Sequence, residues 1–354
     1  MSTQAITQRA WVEIHLANLV ENARAVQAAA HGAALLPMVK ADGYGLGAVR
    51  CALALETLDP WGFGVATVSE GAQLRAAGVR RPILVFTPAH PFQRDAFRQF
   101  DLRAVIDDPA VARAWDGPFH LEIDTGMSRC GLPWTAPDRI AACGSTHLEG
   151  VFTHLHSAEA GPASVAEQWQ RFQSAFATLP TRPRMVHVAG SAGVWRLHER
   201  LDLVRPGIFL YGGRHAADLA PPRPVAALRA PIVSIRVVPR GGTVSYGATW
   251  TAQQDTTVAT LAIGYADGVP RAVENHAMVL LGGTRCAVVG RVTMDFVMVD
   301  AGRATSVAVG DIATLIGEDG RATIGLEEFA GWAGTIAYEV LARLGARLER
   351  RYLG

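Results

Sequence analysis

Leu35-Leu36-Pro37-Met38-Val39-Lys40-Ala41-Asp42-Gly43-Tyr44-Gly45-Leu46-Gly47 sets an apolar run directly against a lysine and a glycine-rich turn. The run suits a short buried strand and the glycines suit a tight turn. A lysine at such a junction is held partly out of water, which disfavours its ammonium and lowers its pKa. A lysine with an available lone pair is what a Schiff base to an aldehyde cofactor requires. A lysine that merely caps a strand in water satisfies the same spacing, so the rest of the chain has to decide.

Seven further short apolar runs follow, at 62–67, 82–87, 102–107, 120–125, 148–154, 185–190 and 202–205. Most are bounded by Gly, Pro or a charge, and helix-like stretches such as 69–77, 165–178 and 191–200 lie between them. Eight β-then-α units predict an α/β fold, a (β/α)8 TIM-like barrel, which needs about 250 residues or somewhat fewer. After Pro221-Pro222-Arg223-Pro224 the pattern changes. Segments 231–239, 243–250, 256–264, 277–281, 285–300 and 311–316 read as strands with glycine-containing turns, and a closing helix is expected at about 336–351. The division is therefore 1–225 for the barrel and 226–354 for a mostly-β domain.

Composition excludes several classes. The 354 residues are 49% hydrophobic with a formal net charge of +1, enough for a sizeable core and without a basic face for nucleic acid. The start, Met1 to Ala10, has no apolar leader pattern, and no apolar run reaches membrane-spanning length. Cys51, Cys130, Cys143 and Cys286 have no paired metal spacing, so no metal is expected, and free thiols in a reducing cytoplasm are the simplest reading.

On the predicted barrel, Lys40 ends strand one, Arg129 follows strand five and His154 ends strand six. Ser191 follows strand seven, and Arg205-Pro206-Gly207-Ile208 follows strand eight. All fall on the C-terminal rim, where barrel active sites assemble. Ser191, Gly207 and Ile208 lie where barrels bind phosphate through a hydroxyl and backbone N–H groups. A phosphorylated aldehyde anchored there and joined to Lys40 describes pyridoxal 5'-phosphate.

The chain resembles bacterial alanine racemases, fold-type III pyridoxal-phosphate enzymes, along essentially its whole length. The resemblance rests on Met38–Gly47, on Asp124-Thr125-Gly126-Met127-Ser128-Arg129 and on Val204-Arg205-Pro206-Gly207-Ile208. It continues through Ser245-Tyr246-Gly247-Ala248-Thr249, Ile263-Gly264-Tyr265-Ala266-Asp267-Gly268, Gly290-Arg291-Val292-Thr293-Met294-Asp295 and Tyr338-Glu339-Val340. It implies that Lys40 holds the cofactor and is the base on one substrate face, and that Tyr246 of a second subunit is the base on the other. It further implies a hydrogen-bonded chain from that tyrosine through His154 to Arg205, with Arg205 on the pyridine nitrogen. Tyr44, Ser191, Gly207, Ile208 and Tyr338 match phosphate-binding positions. Arg129 and the Met294 N–H would meet the substrate carboxylate, and Tyr265 would stand at the entrance. The implied activity is interconversion of L- and D-alanine by a cytoplasmic homodimer with shared sites, supplying D-alanine for peptidoglycan or catabolising it. A racemase for serine or a broader range of amino acids fits the same scaffold. Barrel-type decarboxylases carry an acidic partner where Arg205 stands, and a lone-barrel carrier of the cofactor has no use for the β-rich domain bearing Tyr246.

One position departs from the family. Many members carry a carbamylated lysine seven residues before the arginine of the Asp-Thr-Gly-Met block, where this chain has Glu122. Alternation puts Leu121 and Ile123 on one face of the strand and Glu122 and Asp124 on the other. Glu122 is thus expected inside the barrel, beneath Arg129, either paired with the nearest cation or supplying the negative charge that orients Arg129.

Overall fold

The computed structural model describes residues 9–354 apart from 198, 200, 215 and 305. The described residues divide into two compact units, 19–223 and 9–18 with 224–354. Eight parallel strands form the first: β2 (Ala34–Leu35), β3 (Phe63–Val65), β4 (Ile83–Pro88), β5 (Arg103–Ile106), β6 (Phe119–Asp124), β8 (Leu148–Phe152), β9 (Met185–Gly190) and β10 (Leu203–Arg205), with the two-residue β7 (Leu132–Pro133) beside the end of β6. They run in the order β2-β10-β9-β8-β6-β5-β4-β3. The chain just after β2 closes the ring: Met38 bridges Gly64 in parallel, Gly64 N–H donates to the Pro37 carbonyl, and Val39 N–H donates to the Gly64 carbonyl. On the other flank Leu36 N–H donates to the Val204 carbonyl and Met38 N–H to that of Pro206. Gly64 is required at this seam, because a Cβ there would clash with the Met38 thioether.

Each strand expected from the sequence falls on a strand of this barrel. The near-continuous apolar runs follow from burial on both faces, helices outside and packed side chains inside. Leu36, Leu84, Val105, Phe152 and Leu203 form one buried cluster, with Trp61, Phe86 and Met185 against it. The expected helices are present as Val68–Ala76, Pro162–Phe176 and a short Gly193–Arg196; positions 198 and 200 of the third, like residues 1–8, lie outside the described residues. Thr67 caps the helix at Val68 through a capping box with Glu70.

The second unit is mostly strands: β1 (Trp11–His15), β11 (Ala226–Val238), β12 (Thr243–Val244), β13 (Trp250–Thr251), β14 (Thr256–Leu261), β15 (Met278–Leu281), β16 (Thr284–Ala287), β17 (Val297–Asp300), β18 (Ile312–Asp319), β19 (Ala322–Ile324) and β20 (Glu349–Leu353). The long β11 organises it, pairing antiparallel with β1, β14 and β18. The β15–β16 hairpin turns on Gly282 and Gly283, whose φ of +55° and +77° suit a two-residue turn that glycine enters at least cost. Val238, Val244, Ala252, Val258 and Val289 make a local core.

Four expectations in this unit differ from what the structure holds. The closing helix ends at Ala342, and residues 349–353 form β20, paired in parallel with β1 from Trp11↔Glu349 to His15↔Leu353. The pairing partner lies at the other end of the sequence, and Arg351 rests over the Trp11 ring at 4.1 Å. Segment 243–250 is broken by a 3-10 turn at Tyr246–Ala248, and 285–300 is two strands separated by a loop. A division at residue 225 places Trp11–His15 with the barrel, whereas its hydrogen bonding to β11 and β20 joins it to the β-rich unit.

Candidate active site

Lys40 follows the closing seam of the barrel directly. The next residues turn left-handed: Ala41, Asp42, Gly43 and Tyr44 have φ of +53°, +51°, +62° and +56°, and only one of them is glycine. Such a run is disfavoured by about 1–2 kcal/mol per non-glycine residue, so surrounding bonds must hold it. Asp42 Oδ1 accepts from Ala48 N–H at 2.9 Å. Glu70 accepts from Ala41 N–H at 2.8 Å through one oxygen and from Ala66 N–H at 2.6 Å through the other. The turn carries Tyr44 back into the barrel, where its ring stacks on Tyr211 at 4.5 Å and the Tyr211 hydroxyl donates to the Met38 carbonyl at 2.8 Å. Burial lowers the Lys40 pKa, and the positive charges of Arg129 and Arg205 lower it further, against a smaller opposing pull from Glu70.

Beside this lysine, Ser191 Oγ accepts from Gly207 N–H at 3.0 Å, leaving its own proton to donate elsewhere. Gly207 packs so closely on the Tyr44 hydroxyl that a Cβ would collide with it. The Tyr44 hydroxyl and Ser191 Oγ thus meet at Gly207, with Ile208 the next residue along the chain. Two hydroxyls brought together over a residue without a Cβ are groups that fit a phosphate.

Arg205, the last residue of β10 and 4% exposed, is the most constrained side chain of the rim. Its Nη2 donates to the carbonyls of Thr153 (2.8 Å) and Val188 (3.0 Å) and lies 3.4 Å from His154 Nδ1, while Nη1 donates to His187 Nδ1 at 2.8 Å. Phe152 and Phe86 flank it, at 5.1 and 6.0 Å. Burial reduces its pKa to about 10, still protonated at neutral pH. Burial, then Arg205, Arg129 and Lys40, push His154 down to about 3, so this ring is neutral. Because a guanidinium only donates, His154 accepts at Nδ1 and carries its proton on Nε2.

Gln168, fully buried on helix Pro162–Phe176, ties two rim loops together. Its Nε2 donates to Thr125 Oγ1 at 3.0 Å and to the His154 carbonyl at 3.1 Å, and its Oε1 accepts from His156 N–H at 2.9 Å. The loop that carries Arg129 starts at this Thr125 and is pinned by Asp124, whose Oδ1 accepts from Gly126 and Ser128 N–H. Below it Glu122 is 5% exposed, and burial raises its pKa to about 7 against the pull of Arg129 and Arg205. Sequence reasoning passed over Glu70, Gln168 and His187. The legible signal for His187 was a polar residue inside the apolar run Met185–Gly190.

The β-rich unit carries the remaining candidates, all exposed: Tyr246 (72%), Met294 (53%), Tyr265 (45%) and Tyr338 (43%). Tyr246 stands on its 3-10 turn after Ser245, whose φ is +65° and whose Oγ donates to the Arg291 carbonyl at 2.7 Å. Tyr246 and Tyr265 line one open cavity of about 430 Å³ with Arg271, Arg291, Val292 and Thr293. Tyr265 and Met294 sit on two loops stitched together, with Tyr265 N–H donating to the Thr293 carbonyl and Ala266 N–H to that of Met294.

Residues 14–215 match the family model of the alanine racemase N-terminal domain, and residues 225–352 that of the alanine racemase C-terminal domain. The alanine racemase of Carboxydothermus hydrogenoformans is 35% identical, over 97% of this chain and 99% of that protein. The structure superposes on the crystal structure of alanine racemase from E. faecalis with a TM-score of 0.91 and 32% identity, covering 100% of both chains. It superposes on that from Bartonella henselae, described with covalently bound pyridoxal phosphate, with a TM-score of 0.90 and 28% identity over 98% and 99% of the two chains. With both of its units matched in order and nearly end to end, the chain belongs to the alanine racemases, pyridoxal-phosphate-dependent isomerases of alanine.

Proposed function

We propose that this chain racemises alanine between two protein bases, Lys40 and Tyr246, the second contributed by the partner copy in a homodimer. The observation that carries the reading is the placing of Lys40: a half-buried amine beside two arginines and next to the hydroxyls that meet at Gly207. Lys40 would hold the cofactor covalently, Tyr44, Ser191, Gly207 and Ile208 its phosphate together with Tyr338, and Arg205 its pyridine nitrogen. When bound, pyridoxal phosphate supplies an electron sink next to the amino acid Cα, making that C–H acidic enough for a side-chain base. Arg205 keeps its proton, so it leaves the ring nitrogen unprotonated and the sink weak, which suits proton exchange at Cα and discourages transamination.

Racemisation takes a proton from one face of Cα and returns one to the other, and two fixed bases do this without a large side-chain swing. Lys40 loses its proton more readily than an ordinary lysine and serves one face. Tyr246 serves the other. His154, held as an Nε2–H donor by Arg205, supplies the hydrogen bond that favours a tyrosine oxygen giving up its proton. Arg129 and the Met294 N–H fix the substrate carboxylate. Tyr265 and Tyr338 crowd the space beyond Cβ, so alanine is preferred over longer amino acids, each methylene being worth about 1–3 kcal/mol. The exposure of Tyr246 and Tyr265 on one cavity supports their supply to another copy's barrel. The four cysteines are unpaired, in keeping with a reducing cytoplasm. Among the described residues no helix is long and apolar enough to cross a membrane.

Complementation tests this. Lys40→Ala and Tyr246→Phe are each expected to lose about 10²–10⁴-fold in racemisation, and mixing the two under subunit exchange restores part of it. No recovery despite demonstrated exchange would place Tyr246 in its own chain's site.

A further inference from the structure

Beneath Arg205 the lumen holds a row of polar side chains that the chemistry above leaves unused. Arg205 Nη1 lies 2.8 Å from His187 Nδ1, and His187 Nε2 lies 2.7 Å from His120 Nδ1. His120 Nε2 then lies 3.5 Å from Glu149 Oε2, which is also 3.5 Å from Arg103 Nε. His120 and Glu149 are the second residues of β6 and β8, so the row runs from the catalytic rim to the opposite end of the barrel. Both rings have no exposed surface. The fold makes room for them: a Cβ on Gly150 would overlap the His120 ring, and Phe152 stacks on His187 at 4.8 Å.

The row has only one consistent set of protons. A guanidinium donates and never accepts, so His187 accepts at Nδ1 and carries its proton on Nε2. That proton points at His120 Nδ1, which must accept, so His120 carries its proton on Nε2, facing Glu149. A carboxylate only accepts. The Arg205 end therefore imposes the direction. At the other end His120 Nε2 and Glu149 Oε2, 3.5 Å apart, make no hydrogen bond in the structure, but the negative carboxylate favours the same proton placement. Protonating either ring would set two N–H groups face to face. Burial favours the neutral rings.

We infer that His120 and Glu149 are positioning residues for Arg205: they fix His187 as an acceptor and so hold the guanidinium in one orientation at the cofactor ring. The inference rests on the placing of Arg205 at the pyridine nitrogen proposed above. If the row only fills the lumen, removing its lower members costs stability and leaves the chemistry of Arg205 untouched.

The test uses the enzyme carrying its cofactor, labelled with ¹⁵N-histidine. The wild-type spectrum is expected to show His187 and His120 neutral and protonated at Nε2. Glu149→Leu and His120→Phe are expected to shift the His187 nitrogen signals and to lower kcat roughly tenfold with KM for alanine changed less than about twofold. They should also raise the fraction of turnovers that end in pyridoxamine phosphate. Glu149→Gln, which keeps an acceptor, should restore both the signals and kcat. A wild-type His187 protonated at Nδ1, or a cationic ring in either position, overturns the relay even if no variant folds. Folded variants with lowered Tm but unchanged kcat and product partition overturn the positioning role. A wild type without racemase activity would instead refute the proposed function, with the relay still judged by the ring signals.

Discussion

The two units carry their functional side chains in opposite ways. In the barrel, Arg205 is buried, His154 and Lys40 are half-buried, and Arg205 is hydrogen-bonded both to β9 and to the residues that follow β8. On the β-rich unit, Tyr246, Tyr265 and Met294 stand exposed on loops and turns, and Tyr338 on the first turn of the helix Ala337–Ala342. A buried guanidinium needs every bond the fold gives it, since an unpaired buried charge is costly. An exposed tyrosine keeps its contact with water and carries no such cost. The difference is that the barrel holds its candidate groups with its own backbone and side chains, while the β-rich unit presents its candidates on an exposed surface.

The largest test separates these halves. Lys40→Ala should abolish both racemisation and the covalent hold on the cofactor, whereas Tyr246→Phe should lose a comparable 10²–10⁴-fold in rate while borohydride reduction and peptide mapping still place the cofactor on Lys40. A cofactor lost from Tyr246→Phe would mean the barrel is not self-sufficient.

Acid should also tell the units apart, because the fully buried histidines, His120 and His187, are barrel residues. With His154 they are neutral when folded and have pKa values below that of the unfolded chain. The folded state thus binds fewer protons, so this stability is present above about pH 6.5 and is lost as pH falls toward the folded values. For His154, pushed down to about 3, the loss at pH 5 is about 1–2 kcal/mol. Hydrogen exchange on acidification should open barrel amides before those of β11, β14 and β18. The reverse order would contradict the assignment.

Glu122 has the opposite sign. Its pKa is raised to about 7, so the folded state binds the proton more tightly and stability falls as pH rises from the unfolded carboxylate value through 7. Glu122→Gln should therefore stabilise the fold by about 1–2 kcal/mol at pH 8 and hardly at all at pH 4, read by urea titration. We also expect it to weaken alanine binding severalfold through a misplaced Arg129, and the wild type to be indifferent to removal of bicarbonate. Unchanged KM would show that this carboxylate does not orient the arginine. The smallest effect is expected at the seam of the β-rich unit, where Arg351→Ala removes the contact over Trp11 and about 0.5–1 kcal/mol of stability, with racemisation unaltered.

The contrast also governs how much the sequence disclosed. Barrel strands buried on both faces read as plain apolar runs, and rim residues follow them at once, so Lys40, Ser191 and Arg205 were placed by local pattern alone. His187 shows only as a polar residue inside an apolar run, and Glu70 only as the partner of a capping box. The bonds that give them their places, to Arg205 and to Ala41, are made to residues 18 and 29 positions away. In the β-rich unit the last strand was taken for helix because Leu341, Leu344 and Leu348 keep an apolar period up to it. What makes 349–353 a strand is Trp11–His15, more than 330 residues earlier. The break at Tyr246 likewise depends on positive φ at Ser245 and Ala248, which neither residue type announces.

The left-handed turn after Lys40 has a consequence for biosynthesis. Its non-glycine residues do not adopt that shape unaided, and the seam that precedes it needs the Pro206 carbonyl to receive Met38 N–H. The two arginines that make the amine less basic arrive 89 and 165 residues later. A nascent chain therefore exposes Lys40 as an amine like any other until the eighth barrel strand has left the ribosome. On the proposed reading, the lowered basicity that sets this amine apart from an ordinary lysine is thus acquired only at ring closure.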